Sequence, residues 1–243
     1  NLKSQISNLK SQISNLKSTS TPMKTELAFI LDRSGSMETI RTAAIDGYNT
    51  FLRDQQAAPG QNRLSLVFFD SRIETRIDSI PVAEALPLNV ETYIPGGSTA
   101  LLDAVGHTID HLGQRLAALP PADRPEHVTL AILTDGEENC STRYTWADVA
   151  KRIRHQTEKY SWEFLFLGAS EDAIATAARM NIHAANASHY MADAAGQEAA
   201  MASFSRKSLA TRAKKSGHAT EEQLHDADAP LENIVREEDQ KRR

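Results

Sequence analysis

Four near-continuous apolar segments constrain this chain most strongly. They read TELAFIL at 25–31, RLSLVFF at 63–69, HVTLAIL at 127–133 and WEFLFL at 162–167. Each has the length of a β-strand, and the segments between them carry apolar residues at helical spacing. Strands that are apolar on both faces are typical of a parallel sheet covered by helices on both sides. The pattern therefore predicts an α/β fold.

The remaining segments complete this predicted architecture. Apolar residues at helical spacing predict helices over 38–56, 98–117, 145–160 and 171–180, then a short strand within 181–190 and a last helix over 193–210. Residues 72–80 (RIETRIDSI) alternate between apolar and polar, which is typical of an exposed antiparallel edge strand. We therefore expect a doubly wound, mostly parallel sheet with one antiparallel edge strand and helices on both faces. Ligands of such folds bind beyond the carboxyl ends of the strands.

The first 22 residues form a repetitive extension. Residues 1–18 repeat the heptapeptide NLKSQIS, with apolar residues alternately four and three positions apart, as in a coiled coil. A stable coiled coil needs three or more heptads, and this repeat is shorter. Three copies of the seven-base unit AATCTCA also encode NLKSQIS. We therefore interpret residues 1–22 as translated repetitive DNA upstream of a gene that starts at Met23, with a short coiled coil or a functional linker as the alternatives.

The other end of the chain differs in composition from the body. Residues 212–243 hold seven Lys or Arg and eight Asp or Glu, and few apolar residues. Such segments bury too little apolar surface to offset the entropy of ordering them. The sequence thus predicts one domain over 23–211, followed by a charged, disordered tail over 212–243 that is partly helical over 230–243. A tail that binds a partner is the alternative.

Composition excludes several function classes. The formal net charge of −5 argues against non-specific binding to nucleic acid, which needs a basic surface. The single cysteine, Cys140, excludes an internal disulfide framework and a cysteine-cluster metal site. The longest apolar runs are far shorter than the ~20 residues that span a bilayer. We expect no nucleic-acid partner, no membrane span and a cytoplasmic location.

Three polar motifs follow predicted strands or open a predicted helix. DRSGS at 32–36 follows the first strand, GGST at 96–99 opens a helix, and TDG at 134–136 follows the strand over 127–133. Together they offer two carboxylates and several hydroxyls, without His or Cys. Hard oxygen ligands of this kind suit Mg²⁺, Mn²⁺ or Ca²⁺ rather than zinc or copper. The motifs therefore predict a divalent-cation site at the carboxyl edge of the sheet.

These motifs also resemble a known family. DRSGSM, GGSTALLDA and LTDGEEN are similar to the three parts of the metal-ion-dependent adhesion site of von Willebrand factor type A (VWA) domains, in the right order and over about residues 24–210. The turn FLGA at 166–169 is similar to the corresponding turn of the small, single-domain bacterial members of this family. The resemblance implies a metal held by Ser34, Ser36 and Thr99, with negative charge from Asp32 and Asp135. It also implies an open coordination position for an Asp or Glu of a partner protein. We expect Gly97, Ser98, Glu137 and Glu138 to shape the rim without ligating the metal.

The leading functional hypothesis is a divalent-cation-dependent protein-binding module, an adaptor or regulator without catalytic residues. Its cofactor would be Mg²⁺, with Mn²⁺ or Ca²⁺ as alternatives. One alternative is a metal-dependent hydrolase or phosphatase that uses the same carboxylates. The residue two positions after Asp32 is Ser34 rather than a second Asp, and the neighbouring motifs contain no Lys to hold a phosphate. Another alternative is a partner subunit of a AAA+ ATPase. It rests only on the resemblance, since related domains often act as such partners.

Two further groups of residues resemble sites. Asp103, His107 and His111 lie four residues apart on one predicted helix, off its apolar stripe, so we expect them to face water. Cys140 and His155 could suggest a thiol nucleophile, but no orienting group follows at a recognisable spacing. We interpret Cys140 as a lone thiol near a loop.

Overall fold

The structure, a computed structural model, describes residues 22–243 and has one six-stranded sheet in the order β3-β2-β1-β4-β5-β6. The repetitive extension predicted over 1–22 lies outside the described residues except for residue 22. The strands are β1 Lys24–Asp32, β2 Gln61–Phe69, β3 Ile73–Pro81, β4 His127–Thr134, β5 Glu163–Gly168 and β6 Ala187–His189. All neighbouring strands are parallel except the pair β2 and β3. The predicted fold class is confirmed, including the antiparallel edge strand.

Seven α-helices accompany the sheet within residues 22–243. They are α1 Arg41–Ala57, α2 Leu101–Ala118, α3 Trp146–Tyr160, α4 Ala173–Arg179, α5 Ala194–Lys215, α6 Glu221–Asp228 and α7 Leu231–Gln240. Residues of α1, α5 and α7 pack on one face of the sheet, and residues of α2, α3 and α4 pack on the other. No helix within 22–243 is long and apolar enough to cross a membrane.

The central strand β1 shows why the apolar segments are continuous. Its side chains alternate between the two cores: Phe29 and Leu31 face α1 and α5, whereas Ala28 and Ile30 face α2. The Phe29 ring lies 5.0 Å from the ring of Phe51 on α1. Because both faces are covered, an alternating polar pattern would bury polar groups, and the strand is apolar throughout its middle, from Leu27 to Leu31.

The C-terminal segment corrects the predicted domain limits. The prediction of a disordered tail over 212–243 is wrong: α5 continues to Lys215, and α6 and α7 follow it. α7 lies within residues 230–243, the part of the tail expected to be helical. The boundary placed at residue 211 therefore falls inside a helix. In α7, Leu231, Ile234 and Val235 lie three and four residues apart and are all buried. These three apolar residues of α7 form one stripe, which suffices to attach a short helix.

The charges of this segment are paired with α5. Arg206 of α5 lies 2.6 Å from the carboxylate of Asp226 and 2.7 Å from that of Glu237. The ammonium of Lys207 is buried and donates hydrogen bonds of 2.8 Å and 2.6 Å to the carbonyls of Ala227 and Ala229, at the end of α6. A count of charged residues misses this arrangement, because the partner of Asp226 and Glu237 lies 20 and 31 residues earlier in the chain.

We expect Leu231→Ala to lower the free energy of unfolding by about 2–5 kcal/mol, because it removes a fully buried side chain from a packed core. Urea denaturation followed by circular dichroism measures this change. The control Leu224→Ala removes a side chain that is 42% exposed and should cost less than about 1 kcal/mol. Equal, small effects of both variants would mean that α7 does not contribute to the core.

Candidate functional site

The candidate site lies where the two central strands end. β1 ends at Asp32 and its parallel neighbour β4 ends at Thr134, so the residues that follow both strands meet at one edge of the sheet. The loop before α2 reaches the same edge. Its turn is at Gly97, whose φ of +76° is a conformation that favours glycine. The position agrees with the general rule for ligand sites of open α/β sheets.

Backbone hydrogen bonds join the three loops. The amide of Gly35 donates to the carbonyl of Gly97 at 3.1 Å, and the amide of Gly96 donates to the carbonyl of Arg33 at 2.9 Å. Asn139 joins the second loop to the third: its amide donates to the carbonyl of Thr99 at 3.1 Å, and its side-chain oxygen accepts from the amide of Thr99 at 2.9 Å. Three segments that are distant in the sequence therefore form one bonded unit.

The five predicted metal-site residues lie together in this unit. The hydroxyl oxygens of Ser34 and Ser36 are 3.1 Å apart, and Ser36 donates to Asp135 Oδ1 at 2.8 Å. A β-carbon placed on Gly136 would lie 2.7 Å from Thr99 Oγ1 and 3.6 Å from Ser34 Oγ. Glycine at 136 therefore keeps the space between these hydroxyls clear. The sequence did not indicate this role.

Asp32 supports the site from beneath. Its carboxyl is fully buried, and Oδ1 accepts from the amide of Ser34 at 2.7 Å while Oδ2 accepts from the hydroxyl of Thr134. Burial raises the pKa of Asp32 to about 6, and burial also raises the pKa of Asp135. Among the residues that the structure describes, no Lys, Arg or His forms an ion pair with either carboxyl. The neighbouring Arg33 is paired with other acids. A buried carboxyl and a partly buried one, without a cationic side chain to pair with them, favour a bound cation.

The donor set fits a hard divalent cation. Octahedral ligands about 2.1 Å from Mg²⁺ are about 3 Å from one another, which matches the separations around Ser36. All donors are oxygen atoms, as Mg²⁺, Mn²⁺ and Ca²⁺ prefer. Within 22–243 there is no cluster of three or more His, Cys, Asp or Glu side chains placed to hold a metal. The fit therefore depends on the hydroxyls of Ser34, Ser36 and Thr99 as much as on the two carboxyls.

The four predicted rim residues divide into two kinds. Gly97, Ser98 and Glu137 are exposed beside the hydroxyls. Glu138 is partly buried instead, and its carboxylate accepts from the amides of Leu102, at 2.8 Å, and Ser141, at 2.7 Å. Its carboxylate therefore holds the third loop against the first turn of α2.

Asp103 is a second such support, and the expectation that it faces water is wrong. It is buried, and its carboxylate accepts from the amides of Thr142 at 3.0 Å and of Arg143 and Tyr144 at 2.9 Å. The loop after β4 covers this face of α2, which the helical pattern alone did not show. An acid in the first turn of a helix was the available signal, since the helix dipole favours negative charge there.

The two histidines near Asp103 take no part in this support. His107 and His111 are partly buried, and His111 Nε2 lies 3.0 Å from the Asp78 carboxylate of β3.

Cys140 is a partly exposed free thiol, and its pKa is raised by burial and by Glu138. A raised pKa disfavours the thiolate that a nucleophile needs.

We expect Asp103→Asn to lower the free energy of unfolding by about 1–3 kcal/mol, because an amide nitrogen would replace one of two oxygens that accept backbone N–H groups. Hydrogen exchange should also become faster at the amides of residues 142–144. The control Asp46→Asn, exposed on α1, should change stability by less than about 0.5 kcal/mol. Unchanged exchange in Asp103→Asn would show that this carboxylate does not hold the loop.

Comparisons with known proteins agree with this architecture. No protein-family model and no curated protein matches the sequence. Among solved structures, a von Willebrand factor type A protein from Catenulispora acidiphila is 18% identical, with a TM-score of 0.50 over 78% of this chain and 43% of that one. The ArnB paralog VWA2 from Sulfolobus acidocaldarius is 18% identical, with a TM-score of 0.47 over 77% of this chain and 45% of that one.

A third structure is proximal thread matrix protein 1 of the mussel byssus with a zinc-occupied MIDAS motif. It is 16% identical, with a TM-score of 0.39 over 60% of this chain and 36% of that one. This chain spans less than half the length of each of these three proteins. At such identities the Catenulispora match shows the fold alone. The chain has a VWA-like α/β fold.

Proposed function

We propose that this VWA-like domain is a protein-binding module whose candidate site holds a divalent cation, Mg²⁺ in the first place, and binds an acidic side chain of a partner. The observation that carries the proposal is the buried carboxyl of Asp32 and the partly buried carboxyl of Asp135, beside three converging hydroxyls at an exposed edge of the sheet. Hydroxyl oxygens add ligands without adding negative charge. The negative charge of the two carboxylates therefore equals the positive charge of one divalent cation.

Each residue of the site has a role that follows from its position. Ser34, Ser36 and Thr99 present neutral oxygens, Asp135 presents a carboxylate on the same side, and Asp32 supplies negative charge from beneath. When bound, a divalent cation supplies a Lewis-acidic centre to which a carboxylate of the partner coordinates. Ser36 and Ser98 are exposed, which leaves this side of the site open to a partner.

Binding is proposed rather than catalysis because of the way Asp32 is held. Both of its oxygens accept short hydrogen bonds from the protein, and the carboxyl is fully buried. An aspartate that attacks a phosphate or an ester needs a free oxygen facing the substrate. This geometry favours the adaptor over the hydrolase among the functions expected from the sequence.

In a calorimetric titration of the full chain with Mg²⁺, we expect Thr99→Ala to weaken binding on the order of 10- to 100-fold. Changes at groups that only orient metal ligands already cost this much, and Thr99 would supply an oxygen. Ser98→Ala removes a hydroxyl one residue away, on an exposed side chain, and should leave the affinity unchanged.

The same titration is repeated with excess acetate, which can occupy the position meant for the carboxylate of a partner. We expect acetate to raise the apparent affinity for Mg²⁺ in the wild-type chain and not in Thr99→Ala. A wild-type chain that binds neither Mg²⁺ nor Mn²⁺, with or without acetate, would contradict the proposed function.

A further inference from the structure

A groove of about 660 Å³ adjoins the candidate metal site. One wall is the turn between β2 and β3 with the first two residues of β3, residues 70–74, and the other is the loop 94–97. Arg33 and Gly97 belong to both the groove and the site: Arg33 lies between Asp32 and Ser34, and Gly97 lies two residues before Thr99. A chain segment that enters the site from this side must therefore pass through the groove.

Arg72 offers an uncommitted positive charge in the groove. Its side chain is 86% exposed, and its contact with Asp70 is long, with Nε 3.9 Å from Oδ1. Asp70 is buried and already accepts from the Arg33 guanidinium at 2.8 Å and from the backbone amide of Arg72 at 2.8 Å. Among the described residues, Arg72 has no other acid within 4 Å. Its guanidinium is thus available to a ligand.

Arg33 is the other cation of the groove, and it is committed. It bridges Asp70 and Glu74 at 2.8 Å and 2.7 Å, its guanidinium lies over the ring of Phe68, and its side chain is 12% exposed. An anion in the groove would therefore meet Arg72 first.

The facing wall is apolar. Ile94 is 60% exposed, an unusual state for a large aliphatic side chain, and Pro95 lies next to it. Val90, earlier in the same loop, is 54% exposed. The groove thus combines a free guanidinium on one wall with an apolar surface on the other.

We propose that this groove selects the partner: it binds the residues next to the metal-bound acid, with a second acidic side chain on Arg72 and an apolar side chain on Ile94. The occupant is an acidic segment of another protein, as the charge of Arg72 and the continuity with the metal site require. This inference rests on the proposed function, because the metal-bound acid places the segment.

The test is selection of random peptides displayed on phage against the immobilised full chain, with Mg²⁺ or with EDTA. We expect peptides enriched in Mg²⁺ to share one acidic residue, a second acidic residue at a fixed distance and an apolar residue near it. With Arg72→Glu the second acid should disappear from the selected peptides and the first should remain. With Ile94→Ser the apolar preference should disappear. The control Arg76→Glu reverses an exposed charge on β3 outside the groove and should select the wild-type pattern.

Affinities of the best selected peptide give the second readout. We expect Arg72→Glu to raise its Kd about tenfold or more, and Arg76→Glu to change it less than about twofold. The affinity for Mg²⁺ alone should be the same in both variants.

The outcomes separate the two proposals. If selected peptides depend on Mg²⁺ but carry a single acid, or if Arg72→Glu binds them as well as Arg76→Glu does, the groove proposal is wrong and the proposed function stands. If no peptide is enriched by Mg²⁺ over EDTA, the proposed function is contradicted, and the groove proposal falls with it.

Discussion

The carboxyl of Asp32 is the group around which the site is organised. It ends the central strand, where the sheet is covered on both faces and water is excluded. A buried carboxyl is costly unless it is hydrogen-bonded or paired with a cation. The chain supplies hydrogen bonds from the amide of Ser34 and from Thr134 at the end of the neighbouring strand. The same bonds fix the loop after β1 against β4. The hydrogen bonds that the buried Asp32 carboxyl needs therefore also position the hydroxyls of Ser34 and Ser36.

Hydrogen bonds from side chains also fix the other two loops. Asn139 joins the loop before α2 to the loop after β4, and Glu138 and Asp103 tie the latter loop to the first turn of α2. Negative charge at the start of a helix is favourable in itself, so these carboxylates stabilise the helix as well as the loop. The result is a set of hydroxyls placed before any ligand arrives, which lowers the entropy lost on binding.

Much of this could be predicted from the sequence, for physical reasons that particular residues show. Segments such as 127–133 are apolar on both faces, and only a covered sheet accommodates them. The segments at 32–36, 96–99 and 134–136 follow strands or precede a helix, so the topology brings them to one edge. Hydrophobic periodicity does not predict contacts between residues that are distant in the sequence. The role of Asp103 depends on amides 39–41 residues later, and the order of α6 depends on Arg206 and Lys207 of α5.

The central claim is that the hydroxyls of Ser34, Ser36 and Thr99 bind a divalent cation together with the two carboxyls. Anomalous diffraction from crystals of the full chain grown with Mn²⁺ tests it most directly. The account predicts one strong peak within about 2.0–2.6 Å of these hydroxyl oxygens, with at least one coordination position filled by water or by a carboxylate from outside the chain. The absence of a peak at millimolar Mn²⁺, or a peak bound only by other residues, would contradict it.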